Sequence, residues 1–323
     1  MKFTAHVAAA LRQSEHRVVL TGASGWLGRS TLELLHDALR EQFAERVFCF
    51  GSTQADVHLS STRIVTQRPL VELANLSRHP TLLLHFAFLT KDRAETMRES
   101  DYRSANQAIR QLVLDALEPI GVEAVFLASS GAAHFADDLL ATPAMRLYGE
   151  LKREDEAAFT TWSEARDRRL IIARIFNLSG PHINKLPGYA LSSFILDALT
   201  GGPVVVKARN EVRRGYVAIR ELMSLAFALL LDQARGVTQF DSGGQDVELG
   251  ELASLIASSM NCPVERPLSG VGRADIYLGD DRAYRRLLDR YGIEGVSLTD
   301  QISETFAFLK GAATPEPLQD THA

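Results

Sequence analysis

Short apolar runs alternate along the chain with longer stretches whose apolar positions recur at helical spacing. Residues 17–20 (Arg-Val-Val-Leu), 46–50 (Arg-Val-Phe-Cys-Phe), 81–86 (Thr-Leu-Leu-Leu-His-Phe), 124–128 (Ala-Val-Phe-Leu-Ala) and 170–176 (Leu-Ile-Ile-Ala-Arg-Ile-Phe) read as strands. Residues 63–66 form a weaker one. Between 26 and 39, Leu27, Thr31, Leu34, Leu35, Ala38 and Leu39 share one helical face. Further helices are expected over 104–117 and 148–162, and a short one before the first strand, around the apolar patch at 7–11. Strands apolar on both faces and separated by helices imply a parallel sheet covered on both sides, the α/β doubly wound class. After Asn177 the pattern becomes irregular, broken by Gly180-Pro181, Pro187-Gly188 and Gly201-Gly202-Pro203. This part reads as a smaller, interleaved lobe.

With 323 residues and 46% hydrophobic composition the chain can bury a sizeable core. The net charge of -5, with acids and bases interspersed, gives no basic stripe and argues against nucleic acid as a partner. No apolar run approaches the ~20 residues a bilayer crossing needs. The N-terminal patch lacks the long apolar core and cleavage site of a signal peptide. Two cysteines, Cys49 and Cys262, are too few for a disulfide framework and lack neighbours at metal-ligand spacing. The expectation is a cytoplasmic protein without a bound metal, with a mobile tail over 312–323.

The segment Thr21-Gly22-Ala23-Ser24-Gly25-Trp26-Leu27-Gly28 follows the first strand and opens a helix. A pyrophosphate needs bare backbone N–H groups and the positive end of a helix dipole. Gly22 permits the tight turn, Gly25 the approach of the phosphates, and Gly28 close packing of helix on strand. A glycine pattern alone is weak, but its strand–turn–helix setting selects a dinucleotide. NAD-binding chains place an acid at the end of the second strand. Here that strand ends Phe50-Gly51-Ser52-Thr53, with no acid before Asp56. Ser52 and Thr53, with charge from Arg29 or Arg63, suit a 2′-phosphate, so NADP is slightly favoured over NAD.

Tyr148 and Lys152 lie four apart on an expected helix, so both leave one face. An ammonium beside a phenol favours the phenolate and fits the tyrosine for proton exchange. The spacing alone is not specific. It gains meaning because the preceding strand ends at Ser129-Ser130, and hydroxyls at that edge of a parallel sheet face the cofactor crevice. Ser130 is then placed to hydrogen-bond the oxygen that Tyr148 protonates or deprotonates.

Taken together, the glycine loop, Ser130 and the Tyr148–Lys152 pair resemble the extended short-chain dehydrogenases/reductases, the NAD-dependent epimerase/dehydratase group that modifies nucleotide sugars. The resemblance covers nearly the whole chain. It implies a Rossmann sheet formed by 1–178 and 216–243, with a substrate lobe formed by 179–215 and 244–311. Leu84-His85-Phe86-Ala87 looks like the family's fourth-strand motif, which puts Phe86 and Ala87 beside the nicotinamide ribose. Asn106 matches the helical Asn that supports the catalytic lysine. Asn177, in Arg174-Ile175-Phe176-Asn177-Leu178-Ser179-Gly180-Pro181, matches the Asn that contacts the sugar nucleotide. Arg214, in Arg214-Gly215-Tyr216-Val217, matches the Arg that grips its diphosphate. Phe240-Asp241-Ser242-Gly243 is similar to the family's seventh strand.

The departures narrow the chemistry. Gly131 and Ala132 follow Ser130 where the family's 4,6-dehydratases carry an Asp-Glu pair, so elimination of water is disfavoured. His134 replaces a frequent Tyr, and Pro69-Leu70 replaces the Asp-aliphatic contact to adenine. Three functions stay open: an epimerase with tightly held NAD(H), a 4-ketoreductase consuming NADPH, and a catalytically idle dinucleotide sensor or scaffold on the same fold. The intact Ser130, Tyr148 and Lys152 argue against the last. The resemblance also implies a homodimer through helices 104–117 and 148–162, whose surfaces are rich in charge.

Overall fold

The computed structural model describes residues 1–186, 188–266 and 272–313. The elements to residue 175 are α1 (Ala5–Gln13), β1 (Arg17–Thr21), α2 (Trp26–Leu39), α3 (Phe43–Arg46), β2 (Val47–Gly51), β3 (Ala55–His58), β4 (Ile64–Pro69), β5 (Thr81–His85), α4 (Lys91–Ala94), α5 (Glu99–Ile120), β6 (Val122–Ser130), α6 (Pro143–Arg166) and β7 (Arg169–Ile175). The remainder comprises β8 (Asn177–Ser179), α7 (Ala190–Leu199), β9 (Val204–Val205), β10 (Val212–Ala218), α8 (Ile219–Leu231), β11 (Gly236–Asp241), β12 (Gln245–Glu248), α9 (Leu249–Met260), β13 (Val264–Glu265), β14 (Asp275–Tyr277), α10 (Arg282–Arg290) and α11 (Leu298–Ala313).

Eight strands form the main sheet in the order β11-β7-β6-β5-β1-β2-β4-β3. All neighbours pair in parallel except β3 and β4, which form an antiparallel hairpin at one edge. The sheet has two cores because its strands alternate. Val18, Leu20, Leu82, Leu84, Phe126 and Ile171 face one, with α2 and α8. Val19, Leu83, Val125, Leu127 and Ile172 face the other, with Val113 and Leu117 of α5 and Phe159 of α6. The central strands β1, β5, β6 and β7 are therefore apolar on both faces, as the sequence pattern implies. Strand order reverses where β1 is flanked by β2 on one side and β5 on the other, the place where such sheets open a crevice.

The 63–66 strand is longer than expected and pairs with a strand the pattern did not reveal. Only Val57 is buried in β3, so the segment carries almost no hydrophobic signature. Helix α6 starts at Pro143, five residues before Tyr148. Thr142 caps it by accepting from Met145 N at 3.2 Å. Tyr148 thus sits inside the helix rather than at its start. Beyond β7 the chain crosses into a second sheet, β12-β10-β14 with β8 beside β10, and returns to the main sheet at β11. Helix α11 extends through Ala313, so the expected tail begins no earlier than 314; 314–323 lie outside the described residues.

Candidate active site

The glycine loop lies at the C-terminal ends of β1 and β5. Gly22 has φ +73°, and a Cβ there would stand 2.7 Å from Ala87 N and 2.8 Å from the carbonyl carbon of Phe86. A Cβ at Gly28 would meet the Gly22 and Ala23 carbonyl oxygens at 2.5 Å. Both positions therefore require glycine. Phe86 and Ala87 are fixed on this loop, Phe86 N donating to Thr21 O and Ala87 N to Thr21 Oγ1. Gly25 begins α2, and no side chain caps that terminus, so its first N–H groups can serve an anion. Trp26 donates from Nε1 to Pro181 O at 2.8 Å, which seats the helix start against the segment that follows β8. Leu27 is half-buried and Ser24 exposed. These features fit a dinucleotide pyrophosphate at the loop.

Ser52 and Thr53, expected to meet the adenosine ribose, are exposed. Asp56 accepts from Thr66 Oγ1 at 3.1 Å within the β3–β4 hairpin. Arg29 has a buried Nε without a hydrogen-bond partner among the described residues.

Ser130 ends β6, and the following turn, Gly131–Phe135, folds back so that Ala132 N donates to Ser130 Oγ at 3.2 Å. The Tyr148 hydroxyl comes up against the Ser130 hydroxyl, which favours the phenolate. The pair meets because α6 presses on this turn: a Cβ at Gly149 would stand 2.1 Å from Ala132 O. Lys152, one helical turn on, is buried, donates from Nζ to Ala128 O at 2.8 Å, and lies 3.8 Å from the centre of the Phe88 ring. Burial lowers its pKa to about 8, against the opposing charges of Asp155 and Glu156.

The sequence led us to expect that Lys152 would lower the pKa of Tyr148. Instead the phenol is pushed up, because burial of its hydroxyl outweighs the effect of the Ser130 hydroxyl. The ammonium stands 5.9 Å from the Tyr148 ring centre. His85, fully buried behind the site, is held neutral: burial first and then the Lys152 charge lower its pKa to about 3. Its Nδ1 meets Thr21 Oγ1 at 2.7 Å.

Asn106 does not touch Lys152 by any hydrogen bond. It accepts from Leu89 N at 2.8 Å and donates to Tyr102 O at 3.1 Å. It thereby fixes the segment carrying Phe88, whose ring lies against the ammonium and makes a T-shaped contact with Tyr148 at 5.6 Å. Support for the lysine passes through that ring.

Asn177, expected to contact substrate, has a buried Nδ2 with no partner among the described residues. Arg214 is paired with Asp275, its Nη2 donating to Oδ2 at 2.6 Å. His134 pairs with Asp241 at 2.9 Å and stacks on Phe176. Sequence reasoning missed Tyr277, at the end of β14. Its hydroxyl lies near Ser130 and Ala132, and its ring packs 4.8 Å from Phe176. It stands 147 positions beyond Ser130 (277 − 130), outside any spacing a local motif can show.

A family model described as the NAD dependent epimerase/dehydratase family matches residues 18–248. The chain belongs to that family. Members of the epimerase/dehydratase fold group superpose over almost its full length. An epimerase from Methanothermobacter thermautotrophicus matches with TM-score 0.70 and 17% identity, over 96% of each chain. A UDP-glucose 4-epimerase from Thermotoga maritima, solved with UDP-glucose, matches with TM-score 0.69 and 16% identity, over 92% of this chain and 100% of that one. A dTDP-glucose 4,6-dehydratase from Streptomyces venezuelae, solved with NAD and TYD, matches with TM-score 0.70 and 18% identity, over 92% and 97%. At such identities the structural matches establish a shared fold. For this epimerase/dehydratase family chain the main sheet is thus a Rossmann sheet. Both cysteines are unpaired. Among the described residues there is no metal-holding cluster and no helix long and apolar enough to cross a membrane.

Proposed function

We propose that the chain is an NAD(P)-dependent oxidoreductase acting on a carbinol or ketone of a nucleotide sugar, of the 4-ketoreductase or 4-epimerase type. The observation that carries this reading is the convergence of Tyr148 on Ser130, with the Lys152 ammonium one turn away, at the sheet edge that also bears Gly22. A bound nicotinamide supplies the hydride acceptor or donor. Ser130 orients the reacting oxygen by a hydrogen bond. Tyr148 gives that oxygen a proton or removes one. Lys152 keeps a positive charge behind the phenol, and its neighbours Phe88 and Ala128 fix its position.

Elimination of water calls for an acid and a base next to the serine. The turn after Ser130 offers Gly131, Ala132 and Ala133 instead, with the Phe176 ring packed where a Gly131 side chain would begin. Asp241 is taken by His134, and Asp137 by Arg153. This supports hydride transfer without dehydration. Solved relatives hold UDP-glucose or TYD, and the unpartnered Asn177 amide and the Arg214 guanidinium support a nucleoside diphosphate sugar here. Arg214 would then exchange Asp275 for the diphosphate. The absence of an acid after β2 favours NADP and the reductase form.

We also read the chain as a homodimer through α5 and α6. Their charges are largely paired within the chain, Arg103 with Glu150 and Arg110 with Asp155. That leaves an outer α5 face of Ser104, Ala108, Gln111 and Leu112 exposed for a second copy. Sedimentation should give twice the chain mass; a monomer at micromolar concentration would remove this reading.

The activity is tested by mixing purified protein with NADPH and 4-keto or 4-hydroxy nucleoside diphosphate hexoses. Loss of the reduced-nicotinamide absorbance with a 4-keto sugar supports the reductase. Interconversion of C4 epimers without net change in the dinucleotide supports the epimerase. Formation of a 4-keto-6-deoxy product would overturn the exclusion of dehydration.

A further inference from the structure

The position at the end of β2 where an acid would read the adenosine ribose is Gly51, and its side-chain space is filled from the neighbouring strand. A Cβ on Gly51 would stand 2.1 Å from Gln67 Cδ, 2.2 Å from Nε2 and 2.3 Å from Oε1. Gln67 projects from β4, beside Pro69, which is in register with Gly51. It is 2% exposed. Its carboxamide is used on both sides: Oε1 accepts from Ser24 N of the glycine loop at 3.2 Å, and Nε2 donates to Thr53 O at 2.9 Å. One buried neutral group therefore ties the pyrophosphate loop to the turn that follows β2.

Gly51 and Gln67 are mutually dependent. A side chain at 51 would displace the carboxamide from its bonds to Ser24 N and Thr53 O, so an acid at 51 and Gln67 in this position compete for one space. A carboxylate there would hydrogen-bond the 2′- and 3′-hydroxyls of NAD and repel the 2′-phosphate of NADP. The next acid along the chain, Asp56, is engaged by Thr66 on the hairpin. Ser52, Thr53 and Gln54 are exposed at this turn.

We propose that Gln67, with Gly51, sets the choice of dinucleotide: the carboxamide takes the place of the acid, holds Ser24 and Thr53 in position, and so admits a 2′-phosphate. Gln67 is a positioning residue, acting through Ser24 and Thr53. The inference rests on the dinucleotide reading of the glycine loop and deepens it.

Calorimetric titration of the full chain with NADPH and NADH tests it without recourse to activity. The native chain should bind NADPH at least about tenfold more tightly than NADH. Gly51→Asp combined with Gln67→Ala, which restores the acid and clears its space, should reverse that preference. In Gln67→Glu, which keeps the acceptor for Ser24 N but adds a charge, NADPH should weaken more than NADH. A native chain that binds NADH equally or more tightly overturns the proposal. So does a variant with a native circular dichroism spectrum and an unchanged affinity ratio. If the native chain binds neither dinucleotide, the reading of the glycine loop itself falls.

Discussion

Lys152 and Ala128 are joined by a hydrogen bond from Nζ to the backbone carbonyl at 2.8 Å. This bond ties α6 to the strand that ends in Ser130, and it places a buried cation in the main body of the protein. Lys152 is 5% exposed, and its pKa falls from 10.5 to about 8. Desolvation is the largest cause, so at neutral pH the charge costs the fold stability.

The pH dependence follows from that direction. Between about pH 8 and 10.5 the unfolded chain holds the lysine proton more firmly than the folded chain, so stability attributable to Lys152 rises with pH. Lys152→Met, which keeps length and removes the charge, should have the higher urea midpoint at pH 7. Its advantage over the native chain should shrink as pH rises from 8 to 10. A difference that is constant across this range contradicts the assignment.

Asn106→Ala leaves Leu89 N without its acceptor in a part-buried setting. An unsatisfied group of this kind costs about 1–3 kcal/mol. Asn106→Asp keeps an acceptor for Leu89 N and should lose less, although it gives up the donor to Tyr102 O. Urea denaturation of the two variants checks the order; equal losses would show that Asn106 acts through the Tyr102 contact instead.

Gly149→Ala adds a methyl 2.1 Å from the backbone oxygen of Ala132. Helix and turn must separate, at a cost of roughly 1–3 kcal/mol, and the approach of Tyr148 to Ser130 should suffer with them. Melting temperature and turnover are expected to fall together. An unchanged melting temperature would mean that the turn is free to give way.

The strands and the glycine loop were legible because their signals are local. Both faces of β1, β5 and β6 are apolar, and Gly22 and Gly28 follow β1 within a few residues. Tyr148 and Lys152 were legible as a pair one turn apart, but the phenol's raised pKa was not, because it depends on how deeply α6 packs. The hairpin strand β3 escaped because Val57 alone is buried in it. Phe88, Gln67 and Tyr277 escaped for a different reason. Each acts on a partner at least 40 positions away in sequence, Lys152, Ser24 and Ser130 respectively. Only the tertiary fold brings those partners together.

The central claim is that Tyr148 exchanges the proton while Lys152 and the glycine loop serve the dinucleotide. The most direct measurement is the turnover of Tyr148→Phe on the nucleotide-sugar substrate, taken together with its dinucleotide affinity. Removing one hydroxyl should lower turnover by about 10²–10⁴-fold and leave the dinucleotide dissociation constant unchanged. Full turnover in Tyr148→Phe would contradict the account.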